Sequence, residues 1–193
     1  MASCTWRRRS SQPGEGEGRD PGARQTHPCI FFIGQSAKPC WFNEKPAGVL
    51  YTSTAKTWMT AGIFQDWLRD VDQSMREQRR HIFLLVDNAS SHCHDGVTLT
   101  NVRVVKLPPN TTSKLQPLDQ VIIYCVKRHV LRKKIECAIE RIDDGEPNPY
   151  KVGMLQGIEW CAEAWQELSA QTIQHCWLHS TFIAKTDMSF ILH

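Results

Sequence analysis

The sequence lacks a long apolar run, a CxxC pair and any large excess of charge of one sign. The runs Ile82–Val86 and Val121–Val126 stop far short of the ~20 residues that a membrane-spanning helix needs, so no membrane partner is expected. Arg7, Arg8 and Arg9 are not followed by an apolar stretch, so no secretory signal is expected either. The eight cysteines are scattered, which argues against a structural zinc site or a secreted disulfide scaffold and for free thiols in a reducing compartment. A net charge of +3 is too small to argue for a nucleic-acid partner by itself. What is present is a globular balance, 41% hydrophobic and 22% charged, in 193 residues, the length of a single domain.

Residues 1–28 are Gly-, Pro-, Ser- and charge-rich over Ser10–Arg24 and read as a disordered tail. Cys29–Ile33 is a short buried strand stopped by Gly34, and 34–57 reads as irregular. A helix is expected after Thr60, which can cap it. Met59 and Phe64 occupy the two positions of a hydrophobic staple, and Ile63, Phe64, Trp67, Leu68, Val71 and Met75 make one apolar stripe. Ile82–Val86 is apolar without alternation, the pattern of a strand covered on both faces in a parallel sheet, and Val102–Leu107 is a second strand. Pro117 opens a long helix to about Arg141, and two more helices follow near Val152–Leu168 and, capped by Ser169, near Gln171–His179. The order implies an α/β layer fold, with Trp160, Trp165 and Trp177 as core anchors of the C-terminal helices.

Asp87 ends the apolar run at 82–86, and ligands gather at the carboxyl ends of strands in open α/β sheets. The plainer account is an Asx-type turn through Asp87 and Asn88. Asp119 falls in the first turn of the helix after Pro117, where the helix dipole favours a carboxylate. It shares an angular position with Val126 and Val130 and should face the sheet. Two inward carboxylates near one sheet end would repel unless a metal neutralised them. His92-Cys93-His94-Asp95 reads as a surface loop, because neighbouring turn residues rarely converge on one ion. Lys127, Arg128, Arg132, Lys133 and Lys134 form a cationic segment, either a solvated helix face or a phosphate-contacting patch.

Two segments are specific. Leu84–His92, reading LLVDNASSH, and Leu107–Gln120, reading LPPNTTSKLQPLDQ, resemble the DDE domain of pogo/Tigger-type transposases and their jerky and centromere protein B relatives. Ile33–Pro39, Trp58-Met59-Thr60 and Ala164–Leu168 follow the family's order, so the similarity runs over 29–183, with 184–193 as a C-terminal tail. The resemblance implies a ribonuclease H-like fold in which three carboxylates bind two Mg²⁺ or Mn²⁺ ions for cleavage of a DNA phosphodiester. Asp87 matches the family's second acidic residue and Asp119 its third, as catalytic and metal-binding groups. The first would lie upstream of Ser36–Pro39, where this sequence has the Gly/Arg/Pro-rich stretch, and Asp20 in its turn-like setting is no replacement. Helix-turn-helix modules of the family are also not seen, and Val121 replaces the family's usual Gly after Leu-Asp-Gln.

The expectation is therefore an α/β, ribonuclease H-like DDE core lacking its first strands, with C-terminal helices. Ile82–Val86 should have an open edge and Cys29–Ile33 should lack its neighbour, edges that invite pairing with a second copy or another chain. The leading functional reading is a catalytically incomplete, transposase-derived DDE fragment that binds nucleic acid weakly in the nucleus. One alternative is an active Mg²⁺-dependent DNA endonuclease in which Asp95 or Glu44 supplies the third carboxylate. Another is a chain that does not fold stably alone.

Overall fold

The computed structural model describes residues 30–180. The expected tails at 1–28 and 184–193, Cys29 and Asp20 lie outside them. In order come β1 (Ile30–Gly34), a 3₁₀ turn (Phe42–Glu44), β2 (Val49–Ser53), α1 (Ala61–Glu77), β3 (Ile82–Val86), a 3₁₀ turn (Ser90–His92) and β4 (Val102–Lys106). The short α2 (Thr112–Leu115), a π turn (Leu118–Ile122), α3 (Ile123–Asp143), α4 (Met154–Gln166) and α5 (Ala170–His179) follow. Helices and short strands are mixed as a DDE-type nuclease domain requires. None of the described helices is long and apolar enough to cross a membrane.

The strands form two separate parallel pairs, β1 with β2 and β3 with β4. Two expectations are corrected here. β2 lies within the stretch read as irregular, and it gives β1 the neighbour it was expected to lack. Its signal was Val49-Leu50-Tyr51-Thr52 after a turn in which Gly48 takes φ +82°. Tyr51 then packs over Gly34, where a Cβ would collide with its ring, and its hydroxyl donates to the Ser36 carbonyl at 2.7 Å.

The second correction concerns β3. Leu84 and Val86 are buried on one face, but Phe83 on the other is 68% exposed beneath the Arg103 guanidinium. Only β4 pairs with β3 among the described residues, so its second edge is open as expected. The C-terminal helices reach that side without closing on it. They leave a cavity of about 80 Å³ between β3 and Leu118, Ile122, Trp165, Ile173 and Trp177.

The main core is α1 against the β3–β4 pair: Phe64, Leu68, Met75, Leu84, Val86 and Val102, with Met59 and Trp67 packed against them. Thr60 caps α1, its hydroxyl accepting from the Ile63 N–H at 3.3 Å, as the sequence implied. The helix ends where Arg79 takes φ +52° and the Arg80 N–H turns back to the Met75 carbonyl. A second cluster joins β2 to α4 through Val49, Ile158 and Ala162. A third joins the π turn to α5 through Ile122, Ile173 and Cys176, with Trp165 and Trp177 packed against it. Together with buried Trp160, these tryptophans are core anchors as expected. Ser169 caps α5 through the Thr172 N–H at 3.1 Å.

One buried charge lies inside the main core. Asp72 is 2% exposed, one turn beyond Leu68 on the core face of α1. Its Oδ1 accepts the backbone N–H groups of Thr100, Asn101 and Val102 at 2.9, 2.6 and 2.9 Å. Its Oδ2 accepts from the Thr100 hydroxyl and from Arg76, each at 3.0 Å. Burial pushes this carboxyl up, but the donors of Asn101, Val102 and Thr100 outweigh it and hold its pKa at about 2, against an ordinary 3.8.

A carboxyl whose pKa falls on folding contributes stability above its unfolded pKa and loses it as pH falls toward the folded value. Asp72 should therefore contribute about 2 kcal/mol at pH 7, lost between roughly pH 5 and pH 2. Asp72→Asn is expected to lower the melting temperature at pH 7 and to lose most of that difference near pH 2. Thermal melts of both proteins across this range check it; equal melting temperatures at pH 7 would refute it.

Candidate functional site

The end of β3 and the start of α3 meet at one place. The Leu107 N–H donates to the Val86 carbonyl at 2.8 Å, so the β3–β4 pairing continues into the Leu107-Pro108-Pro109 exit. Asn110 then reverses the chain with φ +62°, and the Thr111 hydroxyl donates to the Pro108 carbonyl at 2.6 Å. Gln120 donates across to the Ser113 carbonyl at 3.0 Å, bracing α2 against the π turn. This compact return explains the density of Pro, Asn, Thr and Gln between 107 and 120. It carries Asp119 back toward the end of β3.

Asp87 directly follows β3. Its Oδ1 accepts the Ala89 N–H at 3.1 Å, the Asx-type turn expected of the sequence. The same oxygen lies 2.5 Å from His92 Nδ1. That approach has the distance of an ion pair without the directionality of a hydrogen bond, so its strength depends on His92 carrying a proton. His92 is buried with its ring 4.8 Å from that of Phe64. The surface-loop reading of 92–95 is thus corrected at its first residue: His92 is held in the core because Phe64 and Asp87 supply an apolar face and a charge. Cys93 and Asp95 pair with each other, the thiol donating to the carboxylate at 3.0 Å.

Asp119 is half-buried in the first turn after Pro117. Its carboxyl is pushed above the ordinary carboxylate range by burial and then by the charge of Asp87, while Lys127 pulls it back. The two acidic residues picked from sequence are thus close enough to repel, and a cation from the cationic segment stands within reach of them. Val121 is 42% exposed, so its added bulk is not packed into the site.

Asp87 and Asp119 are hard oxygen donors of the kind that hold Mg²⁺ or Mn²⁺ with water completing the shell, and the repulsion that Lys127 only partly offsets suits such an ion. No group of three His, Cys, Asp or Glu side chains is placed to hold a metal among the described residues, so neither Asp95 nor Glu44 completes a set with them.

The cationic segment is spread around α3 rather than gathered on one face. Lys133 pairs with Glu163 of α4 at 3.1 Å, and Arg132 lies 3.7 Å from Glu136. Lys127, Arg128 and Lys134 are exposed. Sequence reading missed buried His129, whose Nδ1 lies 2.8 Å from Glu167 and whose Nε2 lies 3.8 Å from Glu163. The signal was a histidine on the inner face of α3 opposite two glutamates one turn apart on α4.

Comparison with known proteins decides the family. The sequence profile described as DDE superfamily endonuclease matches residues 20–177. The chain belongs to that family. The DDE chain is 29% identical over 160 residues to ARS-binding protein 1 of Schizosaccharomyces pombe, covering 76% of this chain and 30% of that protein. It is 24% identical over 148 residues to Tigger transposable element-derived protein 4 of Mus musculus, covering 75% and 28%. It is 25% identical over 163 residues to Major centromere autoantigen B of Homo sapiens, covering 83% and 26%. The pogo/Tigger-type resemblance drawn from the two motifs is therefore borne out. The DDE chain spans less than a third of the length of these relatives. No solved structure matches it.

Because Asp119 is held above its ordinary pKa, its ionised form disfavours the fold, and removing the charge should help wherever it is ionised. Asp119→Asn is expected to raise stability at pH 7 in metal-free buffer, read as a small upward shift of the melting temperature because solvent screens the partly buried group. The gain should vanish as pH falls and the wild-type carboxyl takes up its proton. Paired melts at pH 7 and pH 4 measure this, and a variant less stable than wild type at pH 7 would contradict it.

Proposed function

We propose that this chain is a transposase-derived, ribonuclease H-like DDE domain, bounded at about 29–183, that binds DNA weakly in the nucleus and is catalytically incomplete. The observation that carries the proposal is the meeting of Asp87 and Asp119, with Lys127 within reach of Asp119. In this reading the two carboxylates hold a single Mg²⁺ or Mn²⁺, and Lys127 contacts a phosphate brought up to it. Arg128, Arg132 and Lys134 extend the contact along α3. Lys133 adds less because Glu163 already neutralises it. His92 holds the Asp87 carboxylate in place from the core side.

A set of three carboxylates would hold two ions on either side of a scissile phosphate; a pair leaves the second ion without ligands and the water unoriented. The proposal therefore assigns the site to holding DNA and a cation rather than to rapid cleavage. The similarity to an ARS-binding protein and a centromere autoantigen supports a chromosomal DNA partner and with it the nucleus.

Three measurements on the full chain test this together. Mn²⁺ is expected to raise the melting temperature of the wild type but not of Asp87→Ala, since only binding to the folded state stabilises it. Affinity for duplex DNA should fall roughly 50- to 150-fold between 50 and 200 mM salt for three or four phosphate contacts. The triple change Lys127→Ala, Arg128→Ala and Lys134→Ala should weaken binding for all DNA sequences alike. Mn²⁺-dependent nicking of supercoiled plasmid that disappears in Asp87→Ala would overturn the incompleteness. Salt-independent affinity would overturn the DNA contact, and a melt indifferent to Mn²⁺ would overturn the cation site.

A further inference from the structure

α3 presents two distinct sides. One side packs on α4, where His129 and Lys133 meet Glu163 and Glu167. The other carries Tyr124, Leu131, Ile135, Ile139 and Ile142, each more than half exposed. At 100° per residue these five fall within an arc of roughly 80°, turned away from His129 and Lys133. From Leu131 to Ile142 the row is an unbroken run of exposed branched aliphatics, separated from Tyr124 by Arg128 in the same arc, and such a run along one helix is the mark of a surface that another chain covers. Phosphate contacts make no use of it.

The charges along α3 say what covers it. From Ile123 to Lys134 the helix carries Lys127, Arg128, Arg132 and Lys134, besides Lys133 turned to Glu163 of α4, and no carboxylate. From Ile135 to Asp144 it carries Glu136, Glu140, Asp143 and Asp144 against the single cation Arg141. The helix is therefore complementary to itself when reversed. Antiparallel pairing sets the basic half of each copy over the acidic half of the other, twice, whereas parallel pairing sets like charge on like. The apolar row has the same symmetry: about a two-fold axis near Cys137, Leu131 of one copy lies opposite Ile142 of the other, and Ile135 opposite Ile139.

We propose that the exposed apolar row of α3 is an antiparallel, two-fold docking surface for a second copy of this chain. This surface is distinct from the open edge of β3 and does not depend on the DNA-binding reading. The seam is about three turns long, which falls below the size of a standard stable interface. It predicts a reversible dimer with Kd on the order of 10 μM.

Sedimentation velocity of the full chain from about 1 to about 100 μM tests it. The expected result is a monomer–dimer equilibrium that is lost in Ile135→Glu/Ile139→Glu. Both side chains are exposed, so the circular dichroism melt of that variant should match the wild type. Orientation is read separately with Leu131→Cys and Ile142→Cys, each made with Cys4, Cys29 and Cys40 replaced by Ser. Mild oxidation should cross-link the mixture of the two proteins and leave each alone without a cross-link. A wild type that stays monomeric throughout overturns the proposal, as does a dimer that survives Ile135→Glu/Ile139→Glu. Cross-linking of Leu131→Cys alone overturns the antiparallel arrangement.

Discussion

The Asp72 carboxylate fixes where β4 begins. Three consecutive backbone N–H groups, those of Thr100, Asn101 and Val102, converge on its Oδ1. The chain entering β4 cannot slide past α1 without leaving those donors unmade in a buried setting. The Asn101 carbonyl in turn accepts the Ile82 N–H, and its side chain donates to the Arg80 carbonyl, so β3 starts from the same anchor. The parallel register from Ile82 against Val102 to Val86 against Lys106 follows from those first contacts. Where β3 ends, and so where Asp87 stands, is thus set five residues away by a carboxylate that takes no part in the site.

That dependence explains how a small core can present a charged site. Two strands and one helix bury few side chains, and an isolated strand pair is marginal in water. Here the Asp72 cluster adds directional bonds to the burial of Phe64, Leu68, Leu84 and Val86. The acidic pair draws on this stability, since burial and mutual repulsion both disfavour ionised Asp119. The positive charge around it is partial. Lys127 pulls the Asp119 carboxyl down, and the His92 ring stands against Asp87.

Much of this was legible in the sequence because it is local. The Thr60 cap, the stripe of α1, the strands at 82–86 and 102–106 and the Ser169 cap depend on periodicity and side chains a few residues apart. The nearness of Asp87 and Asp119 was legible in two ways: position alone set both at one sheet end, and the two motifs around them carry the family resemblance. What escaped is tertiary. β2 was hidden in a stretch marked by Pro39, Pro46, Gly48 and a Thr/Ser cluster, where the short Val49–Thr52 signal is outweighed until Tyr51 packs across Gly34. Asp72 reads as one more polar residue of an amphipathic helix until the Thr100–Val102 backbone is placed against it. His92 and His129 are core residues because carboxylates from other segments reach them, which composition does not reveal.

α3 concentrates the molecule's competing demands. Its entry turn carries Asp119, its inner face binds α4 through ion pairs, its basic half faces solvent, and its outer face is aliphatic. A helix that only packed on α4 would need one apolar face, and a solvated helix would need none on the other side. The cations too have more to meet than phosphate: Lys133 is already bound to Glu163, and Arg132 lies beside Glu136. Phosphates drawn to Lys127 would pass close to the acidic pair, whereas the acidic half of the helix, beginning at Glu136, repels them. The polarity of charge along α3 would therefore confine a bound polyanion to the end of the helix that bears Asp119. It leaves the other end to contacts of opposite sign.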